Sequence, residues 1–273
     1  AAGTRLPVGT HTLSVSFVPT NSAYDPDTTT VRITVTAKQL TVTGVTVDAK
    51  TYDASVSATA QLRTGAAALS GVESGDTVVL GTGSATAAWA TKTVGTNKTV
   101  QVAGMTISGS ESGNYTLAQP STTASITARA LTVANITAAD RVYDATSSAT
   151  NLLRLGTAAL VGIQGSDDVV LSTSSATATF ANKTIGTNKT VQIAGLAISG
   201  NDSGNYTLTQ PTTTASITAK ELTISQLTVA DKTYDANTDA TDDLDTTRAT
   251  LTGVVQGDTV TLVLSAAPNQ VTV

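Results

Sequence analysis

Between Leu40 and Glu221 every landmark of this sequence occurs twice, 91 residues apart. Gly95-Thr-Asn-Lys-Thr-Val-Gln101 returns as Gly186-Thr-Asn-Lys-Thr-Val-Gln192, and Ser112-Gly-Asn-Tyr-Thr-Leu117 returns as Ser203-Gly-Asn-Tyr-Thr-Leu208. Trp89 becomes Phe180, and Tyr52, Tyr143 and Tyr234 are each followed by Asp-Ala at the same step. A fixed period without insertions is the signature of a tandem array, and it constrains the fold more than any single motif does. The period places units at 39–129 and 130–220, a partial one at 221–273, and the closing part of a different β domain at 1–38. The two end pieces add up in phase to one unit. The chain therefore reads as a window on a longer polypeptide, or as one whose ends complement each other between molecules.

The class of each unit follows from its pattern. Thr10-His-Thr-Leu-Ser-Val-Ser-Phe17 and Thr30-Val-Arg-Ile-Thr-Val35 alternate with period two, as half-buried strands do. Short alternating runs separated by turn residues continue through each unit, about seven strands per period. Only the Ala-rich stretch from Ala60 to Leu69 suggests a helical turn. Charged residues are 13% of the chain and Thr is abundant, a balance that favours strands. Such a strand count fits an Ig-like β-sandwich. The expected fold is all-β: tandem Ig-like sandwiches with a 91-residue period, arranged as a rod. Thr36-Ala-Lys-Gln-Leu40, Thr127-Ala-Arg-Ala-Leu131 and Thr218-Ala-Lys-Glu-Leu222 lack Gly and Pro, so they read as short, stiff junctions. Leu40, Leu131 and Leu222 are expected to pack into the core that follows.

Most chemistry is excluded by residue supply. There is no cysteine, hence no disulfide framework, and His11 is the only histidine, so zinc and a Ser-His-Asp triad lack their usual residues. A net charge of −5 argues against nucleic acid, and no apolar run is long enough for a membrane span. No cofactor and no catalysis are expected. Asp239, Asp242, Asp243 and Asp245, with Asp235 nearby, form the one calcium candidate. In the preceding unit Asp235 is matched by Asp144, but Asp239, Asp242, Asp243 and Asp245 are matched by Ser148, Asn151, Leu152 and Arg154, so a solvated loop is the default. Lys98 and Lys189 recur with Asn114 and Asn205, but an isopeptide bond needs a buried carboxylate, and the pattern points to none.

The aromatics recur in fixed phase: Tyr52, Tyr143 and Tyr234; Tyr24, Tyr115 and Tyr206; Trp89 and Phe180. Residues fixed in this way are expected to pack rather than to bind ligand. Tyr115 and Tyr206 follow tight Ser-Gly-Asn turns, and a tyrosine corner would return each hydroxyl to the backbone of the preceding turn.

Tyr-Asp-Ala, then Val-Gly-Thr-Asn-Lys-Thr-Val, then Gly-Asn-Tyr-Thr-Leu resembles the YDG repeat domain over residues 40 to 262. Pro7-Val-Gly-Thr-His with the strand after it resembles the end of a bacterial Ig-like repeat. The resemblance implies a very large secreted bacterial protein of the filamentous-haemagglutinin-like adhesin type, located at the cell surface or outside the cell, with no catalytic residues. Near-identical adjacent units suit a part whose job is reach, so the expected role is a structural stalk. The alternatives are an adhesive module for a host or matrix glycan or protein, and a subunit of an end-to-end filament or matrix. Expected partners are neighbouring repeats of the same chain and the chain itself end to end. Ala54, Ala145 and Ala236 stand where the family has Gly, so the turn after Tyr-Asp is expected to differ here.

Overall fold

A computed structural model describes residues 5–236 and 243–263 of the chain. Those residues form strands, turns and three-residue 3₁₀ turns. Among them no helix is long and apolar enough to cross a membrane. The chain divides into two compact units. The first is Ala1–Arg129 together with two tip segments of the second repeat, Gln164–Asp168 and Asn201–Thr207. The other is Ala130–Ile163, Val169–Gly200 and Leu208–Val273.

The first unit opens with a hairpin of β1 (Gly9–Phe17) and β2 (Asp27–Val35), antiparallel over their full length. The first repeat follows with β3 (Lys38–Thr43), β4 (Thr46–Val47), β5 (Lys50–Thr51), β6 (Leu62–Arg63), β7 (Ala68–Ser70), β8 (Val79–Gly81), β9 (Thr86–Trp89), β10 (Gly95–Ala103), β11 (Thr106–Ser108), β12 (Tyr115–Leu117) and β13 (Ser121–Thr127). The expectation of about seven strands therefore falls short of eleven. The surplus consists of pieces of two or three residues, too short to show an alternating pattern. The expected helical turn is a 3₁₀ turn at Thr59–Gln61, and the rest of the Ala-rich stretch supplies β6 and β7.

The longest sheet has the order β5-β13-β10-β9, and a second has the order β12-β3-β7. Two pairings are parallel, β12 with β3 and β13 with β5. Period-two alternation puts Ala87 and Trp89 of β9, Val100 and Val102 of β10, and Ala124 and Ile126 of β13 in the core. Leu40 is fully buried at the start of β3. The Gly-Thr-Asn-Lys motif also acquires a reason. Between Gly95 and Lys98 the register of β10 against β13 shifts, and Asn97 sits at φ 49° in that bulge. Asn tolerates the left-handed region better than most side chains do. Asn188 repeats the same φ at the matching shift in the second repeat.

In the other unit the strands Arg141–Val142, Thr212–Thr218, Gly186–Ala194 and Thr177–Phe180 form the equivalent four-stranded sheet in the same order. Its core is Phe180, Val191, Ile193, Leu196 and Ile217, with Ala149, Ala178 and Ala215. Leu131 is fully buried and Leu222 is half-buried. The third repeat contributes two short antiparallel pairs, Thr223–Ser225 with Thr250–Thr252 and Thr228–Val229 with Leu244–Asp245.

Candidate functional site

Inside the first compact unit one carboxylate collects donors from far along the chain. Asp167 lies in the tip segment Gln164–Asp168, and its side chain is only 4% exposed. Its Oδ2 accepts the Tyr52 hydroxyl at 2.8 Å and the Tyr206 hydroxyl at 2.7 Å, and its Oδ1 accepts the Lys92 ammonium at 2.9 Å. Tyr206 in turn accepts the Gln164 N–H at 2.9 Å. The two tyrosine rings meet edge to face, with centroids 5.4 Å apart. Beside them the Asn205 Oδ1 accepts the Val94 N–H at 3.0 Å. Residues 52, 92 and 94 belong to the first repeat, and 164, 167, 205 and 206 to the second.

Local structure places each member. Tyr52 follows β5 directly, where its N–H bonds to the Thr127 carbonyl at the end of β13. Lys92 and Val94 lie in the turn between β9 and β10. Asn205 closes a 3₁₀ turn, Ser203–Asn205, and Tyr206 begins the next strand. The electrostatics agree with the geometry. Burial opposes the charge of Asp167, but the hydrogen bonds from Tyr206, Lys92 and Tyr52 outweigh it and hold the carboxyl below its usual range. Burial and the Asp167 carboxylate push the Tyr206 hydroxyl up to about 12 and the Tyr52 hydroxyl up as well. The hydrogen bond to Asp167 raises Lys92. Each group is held in its ordinary protonation state, which suits a permanent clamp rather than proton transfer.

The tyrosine, asparagine and aspartate of this arrangement recur in step with the period. Tyr115 donates to Asp76 Oδ2 at 2.6 Å and accepts the Glu73 N–H at 3.1 Å. The cation on Asp76 is Arg5, at 2.6 Å, and Asn114 accepts the Val8 N–H at 2.9 Å. In the other compact unit Asp258 takes a hydrogen bond from Tyr143, which raises that hydroxyl, and Lys183 stands 4.0 Å away.

The tyrosine-corner expectation needs correcting in its target. The hydroxyls of Tyr115 and Tyr206 do not return to the turn just before them. They reach Glu73 and Gln164, each 42 residues upstream. In the first repeat β12 lies parallel beside β3, whose other neighbour is β7, and that arrangement brings the loop after β7 to the tyrosine. Trp89 and Phe180 are buried, and each covers a cation: the Lys50 ammonium lies 4.8 Å from the Trp89 ring and the Arg141 guanidinium 5.0 Å from Phe180. Lys50 also binds Asp53 at 2.6 Å and the Ser55 and Ser57 carbonyls, and Arg141 binds Asp144 and the Ser148 carbonyl. The Tyr-Asp-Ala turn wraps around this cation. Ala54, Ala145 and Ala236 adopt φ 61°, 62° and 62°. The turn therefore keeps the left-handed conformation that a glycine would favour, contrary to the expected difference, because the cation and the Asp side chain hold it in place.

Tyr143 is half-buried, and Tyr234 is 91% exposed, against the packing expected of it. Tyr52 owes its burial to Asp167 and Tyr206 of the following repeat, and nothing among the described residues stands in that place over Tyr234. Of the calcium candidates, Asp239 and Asp242 lie outside the described residues. Asp245 accepts the Thr247 N–H at 2.9 Å and its hydroxyl at 2.6 Å, while the Asp243 carbonyl takes the Ala230 N–H. Among the described residues no three His, Cys, Asp or Glu side chains come together as metal ligands. Lys98 gives its ammonium to Thr91 and Thr93, so it is engaged away from Asn114.

The sequence profile of the YDG domain matches residues 36–124, 127–215 and 218–273. The chain belongs to the YDG domain family. No curated protein and no solved structure matches it. Within the YDG repeats, Tyr52-Asp53 supplies one side of the clamp through Tyr52, and Gly204-Asn-Tyr206 supplies the other through Asn205 and Tyr206. Asp167 itself was missed by sequence reasoning. The signal was present, since Asp76, Asp167 and Asp258 recur at the 91-residue step.

Proposed function

We propose that these YDG repeats are spacers of a secreted or surface-anchored bacterial protein of adhesin type, Ig-like sandwiches each held to the next by a shared aspartate. The observation that carries the reading is Asp167, which closes the tyrosine turn of its own repeat and also accepts Tyr52 and Lys92 of the repeat before it. A unit whose buried acid is satisfied by its neighbour is suited to setting reach and stiffness. Near-identical copies suit the same task, since a unique binding site gains nothing from duplication. Small-angle scattering on this chain, and on versions lengthened by one and two further 91-residue periods, tests the proposal. The maximum dimension is expected to grow by about 35–45 Å per added period, the length of a ten-residue strand with its end loops. A dimension that does not grow with repeat number removes the spacer reading.

A further inference from the structure

Two unlike segments occupy the same socket in the first compact unit. On the second repeat the occupant is Lys92-Thr-Val94: its ammonium goes to Asp167 and its Val94 N–H to Asn205. On the first repeat the occupant is Arg5-Leu-Pro-Val8, which lies outside the YDG matches. Its guanidinium goes to Asp76 and its Val8 N–H to Asn114. The two occupants are not related by the 91-residue step, so the likeness is one of contacts and not of phase. They share a short local pattern: a cation, one or two residues, then an apolar residue followed by Gly-Thr. Lys183-Thr-Ile185-Gly186 has the same form. In both occupied sockets the donated N–H belongs to the residue just before the glycine that starts a strand, β1 at Gly9 and β10 at Gly95. The Arg5 segment is braced as well, because His11 Nε2 bonds to the Pro7 carbonyl at 2.6 Å.

We propose that the Asp–Asn pair on the leading face of a YDG repeat is a two-point receptor for whatever β domain precedes it. It reads one cationic side chain and one free backbone N–H, and therefore accepts partners with no YDG sequence. The aspartate selects charge and tolerates either Lys or Arg, since both satisfy a carboxylate oxygen. The asparagine oxygen reads main chain, which carries no side-chain identity. A preceding domain fits when a basic residue stands two or three positions before the apolar residue that leads, through Gly, into one of its closing strands. This inference rests on the spacer reading only in treating the preceding segment as a neighbour, and its test does not depend on particle length.

The test is residue-resolved amide exchange by NMR on the full chain. Asn114→Ala and Arg5→Met should each speed exchange at Val8 by about fivefold, the factor expected from one hydrogen bond of ordinary net strength, and leave Val94 unchanged. Asn205→Ala and Lys92→Met should do the reverse. Arg5→Lys should keep Val8 protected. Unchanged exchange at Val8 in Asn114→Ala overturns the proposal. So does Arg5→Met behaving as the unaltered chain, which would leave a one-point contact. Arg5→Lys behaving as Arg5→Met also overturns it, because the socket would then read guanidinium alone.

Discussion

Asp167 and Asp258 stand one period apart in the sequence and meet very different company. Asp167 is sealed, with two hydroxyls and an ammonium on it, and the Tyr52 beside it is fully buried. Asp258 has a side chain 23% exposed, a lysine at 4.0 Å and a half-buried Tyr143. Tyr206 stands edge-on to Tyr52 and closes the first site, and no described residue does this for Tyr143. An ion pair open to water contributes little, whereas the same charges under an aromatic lid lose water as an alternative partner. The pairing of charges is common to both sites, but only the first is close and sealed, so removing its acid leaves buried partners behind.

The comparison breaks most directly at the aspartates. Asp167→Ala should cost about 2–3 kcal/mol in chemical denaturation, because it strands two buried hydroxyls, while Asp258→Ala should cost less than about 1 kcal/mol. Equal losses would show that the lid is irrelevant. Tyr206→Phe keeps the ring and removes its hydroxyl, and should cost about 1–2 kcal/mol. A loss of the same origin should appear without mutation at high pH. Tyr206 is raised from 10.0 to about 12 in the folded chain. Its contribution is therefore complete below about pH 10, its unfolded value, and disappears as pH climbs through 12. Asp167 works in the opposite direction, since its folded value lies below 3.8 and its contribution fades as pH falls through that region. Tyrosinate absorbance should show a late-titrating class, Tyr52 and Tyr206 among it, that Tyr206→Phe reduces by one residue, and a curve identical to that of the unaltered chain would count against the buried pair. The smallest effect should come from Ala54→Gly or Ala145→Gly, a gain of about 0.5–1 kcal/mol from relieving a left-handed alanine, less the added freedom of the unfolded chain. A loss at either position would mean that the Lys50 or Arg141 shelf needs the methyl group.

Much of this was legible beforehand, and what was not has a common cause. The period, the all-β class and the buried faces of β9, β10 and β13 follow from repetition and alternation, which are local properties. The buried Leu40 and Leu131 follow from where the junctions fall. The parallel pairings leave no periodic trace, and two-residue strands are too short to alternate. The clamp is the least local feature: Tyr52 and Asp167 are 115 residues apart, and no spacing rule joins an aromatic of one unit to an acid of the next. The left-handed Ala54 was hidden differently. An alanine in sequence looks like an ordinary residue, and only the cation at Lys50 with its carbonyl partners explains why the turn holds without glycine.

The division of the clamp between repeats also limits how a gene for such a chain can change length. Between one YDG repeat and the next, donors and acceptor stay matched when the copies remain in step. Unequal crossing-over that adds or deletes whole 91-residue periods returns each in-phase aspartate to a tyrosine and a cation. A crossover of any other length keeps the buried acid paired only where the new junction again supplies a cation and, two or three residues on, a backbone N–H. Changes by whole repeats therefore keep the clamp's charges paired, and a fractional change that brings no such junction leaves an acid without its cation.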